Sequence, residues 1–180
     1  MRKLLSTMVL AAMLLQPVSP LLAAETIHFA LTDKNGGRVS DADFTGRTLL
    51  LFFGYTHCPD ICPTTLAEMA ALQQVLPADL AGKLSLGFVT GDPQRDTPAV
   101  MKQYIGYFSD RILGFSGTTK EIDDLAWSLK AVVIRHGDGT GDYTVDHSTN
   151  YILIRDGVIL DQIPNTLDTA ELLARIKTQF

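Results

Sequence analysis

The chain has 180 residues, 46% of them hydrophobic, with a formal charge of −5 and only two cysteines. One domain with a real core fits this length, and too few cysteines are present for a disulfide-built scaffold. Without Arg2 and Lys3 the charge is −7, which argues against nucleic acid or an anionic membrane surface as a partner.

The elements follow in chain order. Basic Met1-Arg2-Lys3, an apolar run from Leu4 to Leu15, and the small residues of Leu22-Ala23-Ala24 predict a cleaved secretory signal over 1–24. The apolar run is short for a bilayer span, so a membrane anchor facing the periplasm is the alternative to a soluble, exported, periplasmic protein. The rest, 25–180, reads as a single domain. Ile27 to Leu31, followed by Asn35-Gly36-Gly37, predicts a short strand and a peripheral hairpin. Thr48 to Phe53 is an uninterrupted apolar run, expected of a strand covered on both faces, and a helix is predicted from Pro63 to Val75. Leu84 to Thr90 predicts a second buried strand, and Thr97-Pro98 predicts the start of a helix through Tyr107. A third strand at Ile112 to Phe115 and a helix from Thr118 or Thr119 through Leu129 precede an extended stretch, Ala131 to Arg135. Tyr151 to Arg155 and Val158 to Ile163 flank the hairpin signal Asp156-Gly157, and an amphipathic helix over Leu167 to Phe180 closes the chain. Parallel βαβ units followed by an antiparallel hairpin and a terminal helix predict an α/β fold. Its plan is a thioredoxin-like mixed sheet flanked by helices, with an added N-terminal β-hairpin.

The two cysteines, Cys58 and Cys62, follow the first buried strand in Gly54-Tyr55-Thr56-His57-Cys58-Pro59-Asp60-Ile61-Cys62-Pro63. A disulfide between them closes so short a loop that the chain-entropy estimate is only about 2 kcal/mol. That favours a site over a staple. Pro63 would clash with the carbonyl of Pro59 in a continuous helix, so the helix is expected to start at Pro63, with Cys62 near its N-cap. The helix N-terminus is expected to lower the pKa of the sulfur facing it, which suits both a redox thiol and a metal ligand. A third ligand must come from His28, His57, His136 or His147. His57 reads as a rim residue, His28 as the polar face of a strand, and His136 as part of a loop beside Gly137-Asp138-Gly139. His147 comes before the final hairpin, where such a fold passes beside the cysteine loop. By itself it fits a ligand and a hydrogen-bonded structural histidine equally well.

Three separated segments then point one way. The stretch from Gly54 to Leu66, Asp92-Pro93-Gln94-Arg95-Asp96-Thr97-Pro98, and Val145-Asp146-His147-Ser148 together resemble the successive signatures of the SCO/SenC proteins. The resemblance implies a copper-binding metallochaperone that helps assemble the dinuclear copper centre of cytochrome c oxidase. It implies Cys58, Cys62 and His147 as ligands of Cu(I) and of Cu(II); Asp146 fits equally a residue that orients His147 and one that caps the loop. The expected partners are the oxidase's copper-site subunit, a periplasmic copper donor and a thiol reductant. Oxidation to a Cys58–Cys62 disulfide would close the site. The Asp92 to Pro98 stretch reads first as a loop leading into a helix; a partner-facing role for Arg95 and Asp96 is the alternative, because that rim also carries the thiols. Gly91 departs from the family, which more often carries a bulkier residue there. The alternative function is a thiol-disulfide reductase, with Cys58 and Cys62 as its redox-active pair, that keeps the target's copper-site cysteines reduced.

Overall fold

A computed structural model describes residues 26–137 and 141–180, and the expected signal over 1–24 lies outside the described residues. The first hairpin is β1, Ala30–Asp33, with β2, Arg38–Ser40. Its turn is closed by the Asp33 carboxylate, which accepts from the N–H groups of Asn35 and Gly37 at 2.8 Å each. The strand starts later than expected because residues 27–29 have no partner strand. Instead, Ile27 N–H donates to the Gly157 carbonyl and Phe29 N–H to the Asp41 carboxylate. A single 3-10 turn, Asp41–Phe44, follows.

Strand β3, Thr48–Gly54, is buried at every position. The reason is its place in the sheet. It runs parallel to β4, Leu84–Thr90, on one side and antiparallel to a later strand on the other. Between them lie α1, Ile61–Val75, and the short α2, Ala78–Ala81. Helix α1 begins two residues earlier than expected, with Asp60 as N-cap. Pro63 is accommodated because it falls in the first turn, where backbone N–H groups have no partner within the helix, and Pro59 lies outside the helix.

Helix α3, Pro98–Gly106, opens with Thr97 as N-cap and Pro98 at its first position, as expected. After β5, Leu113–Ser116, helix α4, Thr119–Ser128, is capped reciprocally by Thr118 and Glu121. Strands β6, Val133–Arg135, and β7, Val145–His147, form a separate two-stranded ribbon, of which only β6 was expected. Strands β8, Tyr151–Arg155, and β9, Val158–Ile163, form the last hairpin, and α5, Thr169–Lys177, follows. The hairpin turn carries positive φ at both Asp156 (49°) and Gly157 (74°), the twist that a two-residue connection requires.

The main sheet has the order β2-β1-β5-β4-β3-β8-β9. The N-terminal hairpin is therefore part of the main sheet, on the β5 side. Alternation along β3 sends Leu50 and Phe52 into one core layer with Leu66 and Met69 of α1, Met101 of α3 and Leu172 of α5. Leu49, Leu51 and Phe53 face the other layer with Ile122 and Leu125 of α4. Helices thus cover both faces, as the expected thioredoxin-like plan requires. Because β3 and β4 are parallel, both of their following loops emerge at one end of the sheet, where Gly54 carbonyl accepts from Gly91 N–H at 2.6 Å. No described helix is long and apolar enough to cross a membrane.

Candidate metal centre

The site starts where β3 ends. Cys58 N–H donates to the Tyr55 carbonyl at 3.2 Å, folding the chain back before α1, and the first turn of α1 then presents Cys62. Both thiols are free; Cys58 is half-buried and Cys62 fully buried. Gly54 makes this approach possible. A Cβ at that position would stand 2.7 Å from Cys62 Sγ and 2.6 Å from the Phe88 ring.

His147 arrives from the other side, as the last residue of β7, paired with Val133 of β6. Its Nε2 lies 3.4 Å from Cys62 Sγ, and the potential ligand atoms of Cys58, Cys62 and His147 all lie within 4.8 Å of one another. The imidazole is held edge-to-face against Phe52 and Tyr55, with ring centroids 5.8 and 6.0 Å away. Its Nδ1 is 3.0 Å from the Ser148 carbonyl. A carbonyl only accepts, so Nδ1 carries the proton and the Nε2 lone pair points to the sulfurs. Burial lowers the His147 pKa, which keeps the ring neutral and ready to bind metal.

The thiol chemistry differs from the expectation of a thiolate stabilised at a helix end. Burial pushes the Cys62 thiol well up from its ordinary value, because desolvation of the charge outweighs the backbone hydrogen bond from Tyr55. Cys62 therefore carries its proton in the metal-free protein. Two sulfurs and one imidazole nitrogen at this spacing form a donor set for a soft metal ion.

Asp146 does not meet the expectation of orienting His147. Neighbours on a strand point to opposite faces, and its carboxylate instead lies 2.7 Å from His136 Nε2, on the exposed side of the ribbon. The Ser148 carbonyl does the orienting. His57 is a rim residue, its Nδ1 3.2 Å from Thr56 Oγ1 and 3.9 Å from Asp96. His28 pairs with Asp41 at 2.8 Å on the exposed surface.

Arg95 and Asp96 also depart from the partner-facing alternative, because they turn inward. Asp96 is fully buried and accepts from the N–H of Thr56 at 3.0 Å and from the hydroxyls of Thr56 and Thr90. It thereby fixes the turn that leads to Cys58. Burial raises its carboxyl pKa, opposed by these hydrogen bonds. Arg95 pairs with the fully buried Asp92. The sequence carried a signal for this: two aspartates flank an arginine at the carboxyl end of a buried strand, where exposed charge is not the only option.

Residues 20–180 match the SCO1/SenC family model. The chain belongs to the SCO1/SenC family. It is 35% identical to the mitochondrial SCO1 homolog of Homo sapiens over 84% of its own length. It spans about half the length of such curated relatives, 52% for the human protein. Among solved structures it is similar to Bradyrhizobium japonicum ScoI with copper bound, at 36% identity and a TM-score of 0.76. That match covers 86% of this SCO1/SenC chain and 99% of the other. Yeast Sco1 with copper bound aligns at 29% identity and a TM-score of 0.77, over 85% of this chain and 86% of that one.

Proposed function

We propose that this chain is a metallochaperone that holds copper through Cys58, Cys62 and His147 and delivers it to the copper-site subunit of cytochrome c oxidase. The convergence of three soft-metal donors within 4.8 Å carries the reading. Two thiolates and an imidazole suit Cu(I), and a thiolate–imidazole set also accepts Cu(II). The copper held by the Bradyrhizobium and yeast relatives supports the same cargo here. The resemblance of the three sequence motifs supports the dinuclear copper centre as its destination. Residues 25–180 act as one domain, exported to the periplasm by the signal over 1–24, and a copper donor and a thiol reductant supply it there.

The test is anaerobic titration of the reduced apo-protein with Cu(I) and with Cu(II). One ion binds per chain, and His147→Ala and Cys58→Ser each weaken binding by more than the roughly 10–100-fold that loss of a supporting residue costs. Absence of stoichiometric binding, or binding that survives both changes, overturns the assignment. A purified copper-site subunit accepts copper from the loaded protein; failure to transfer removes the delivery role.

A second reading rests on the asymmetry of the thiols, with Cys58 half-buried and Cys62 fully buried. That split suits an attacking and a resolving sulfur. Cys58 thiolate attacks the target disulfide to form a mixed disulfide, and Cys62, passing its proton to the departing target sulfur, resolves it, releasing the target dithiol and leaving a Cys58–Cys62 disulfide. Reduction of a disulfide-bonded copper-site peptide by apo-protein tests this; no turnover removes the role.

A further inference from the structure

The metal donors come from two parts of the chain that the main sheet does not join. Cys58 and Cys62 follow β3 within the seven-stranded sheet, whereas His147 lies on the two-stranded ribbon of β6 and β7. Side chains must hold that ribbon against the cysteine turn, and one of them touches both sides. The Arg95 guanidinium donates through Nε to the Asp92 carboxylate and through Nη2 to the Tyr143 carbonyl at 2.9 Å. Its central carbon stands 3.6 Å from the Tyr143 ring centroid and 6.0 Å from that of Tyr55. The Tyr143 hydroxyl donates back to Asp92, closing a ring of three residues. Asp92 is anchored in turn, its own N–H donating to Thr90 Oγ1 at 2.8 Å.

Both tyrosines lead to donors. Tyr143 comes two residues before Val145, where β7 starts, and β7 ends on His147. Tyr55 accepts the Cys58 N–H on its carbonyl and packs its ring against His147. Tyr55, Tyr143 and Val145 form one small buried cluster, with Cys58 and Val133 against it. Arg135 supplies a further tether, from Nε to the Gly91 carbonyl at 2.7 Å, but that one pins β6 and not the histidine strand.

We propose that Arg95 is a positioning residue that, through Asp92 and Tyr143, clamps the β6–β7 ribbon so that His147 faces the two cysteine sulfurs. The geometry demands arginine. A planar fork can bond a carboxylate and a carbonyl while stacking on an aromatic face, and a lysine ammonium cannot do all three. The clamp is permanent rather than switched, because a carboxylate buried as fully as Asp92 does not release its cationic partner cheaply. Three donors from distant segments are thereby set close together before any metal arrives. The inference builds on the metal-site reading above, and its consequence for apo-protein can be measured separately.

The experiment uses Arg95→Lys, which keeps the charge opposite Asp92, and Tyr143→Phe, which keeps the ring and removes only its hydroxyl bond. Thermal melting confirms that each variant is folded. In metal-free protein, 15N NMR of the His147 ring reads the tautomer: Nδ1-protonated in the wild type, and averaged between both nitrogens in Arg95→Lys with a smaller change in Tyr143→Phe. For copper-loaded protein, Arg95→Lys weakens Cu(II) binding by about 10–100-fold, the range for residues that orient a metal-bound histidine. Combined with His147→Ala, it adds no further loss, since the residue acts through that histidine. An unchanged His147 tautomer in Arg95→Lys overturns the proposal, and so do losses that multiply in the double variant. If the wild type binds no copper, the metal-site reading fails while the apo-protein NMR still decides the clamp.

Discussion

Cys62 Sγ and His147 Nε2 stand 3.4 Å apart although 85 residues separate them in the chain. The sulfur is buried, and the nitrogen facing it has its lone pair free because the opposite ring nitrogen donates to the Ser148 carbonyl. In the apo state, the S–H of Cys62 is the natural donor to that lone pair. On the proposed reading, these two groups would hold a metal ion once this proton is given up.

Metal affinity therefore rises with pH. Burial raises the Cys62 pKa, so across neutral pH the thiol is protonated in apo-protein and must release its proton on loading. Each proton so displaced changes affinity by roughly tenfold per pH unit. His147 is shifted the other way, downward, so its protonation competes only at acid pH. Competition titrations between pH 6 and 8 check this (about two units around neutrality). An affinity independent of pH across that range contradicts the buried thiol.

Gly54→Ala damages the site without touching a ligand. The added methyl would meet Cys62 Sγ at 2.7 Å and the Phe88 ring at 2.6 Å, both in the packed core. The expected cost is about 1–3 kcal/mol of stability, with metal affinity reduced as Cys62 is pushed from its place. Denaturant unfolding and copper titration of the same variant measure the two effects.

Asp96→Asn changes how stability depends on pH. The folded-state pKa of Asp96 lies above its ordinary value because the carboxyl is buried. Its contribution to stability is therefore fully present below the ordinary value, 3.8, and is lost as pH rises through the folded-state value. The asparagine variant lacks this fall. At neutral pH the loss of a charged acceptor for Thr56 and Thr90 is offset by relief of the cost of burying that charge. Unfolding free energies across an acid-to-neutral pH series test both statements, and a wild-type contribution that grows with pH reverses the sign argued here.

Thr118→Ala separates stability from binding. Thr118 and Glu121 cap α4 reciprocally, and α4 packs on the sheet face that does not carry Cys62. Loss of the cap costs about 1 kcal/mol, with copper affinity unchanged. A melting curve and a copper titration suffice, and a weakened site shows that α4 supports the metal centre after all.

Much of the fold could be read from residue pattern because its signals are local. After Thr48 the run Leu49 to Phe53 is apolar throughout since β3 has a strand on each side and a core layer on each face. Thr97-Pro98 and Thr118 mark helix starts through their own backbone chemistry. The β6–β7 ribbon was only half visible, because strands of three residues are too short for alternation to register. The start of α1 was misplaced because the proline rule depends on whether Pro59 is helical, and that is decided by the turn before it.

The sequence by itself determined the membership and the materials: two thiols beside a helix start, a histidine before the last hairpin, and motifs in SCO1/SenC order. Tertiary structure decided which groups meet. It turned Asp146 away to His136, gave His147 its tautomer through Ser148, and folded Arg95 and Asp96 inward behind the cysteine turn. The reason is physical: residue type sets which bonds a group can make. Which partner it finds, and whether burial raises or lowers its pKa, depends on segments brought together from far along the chain.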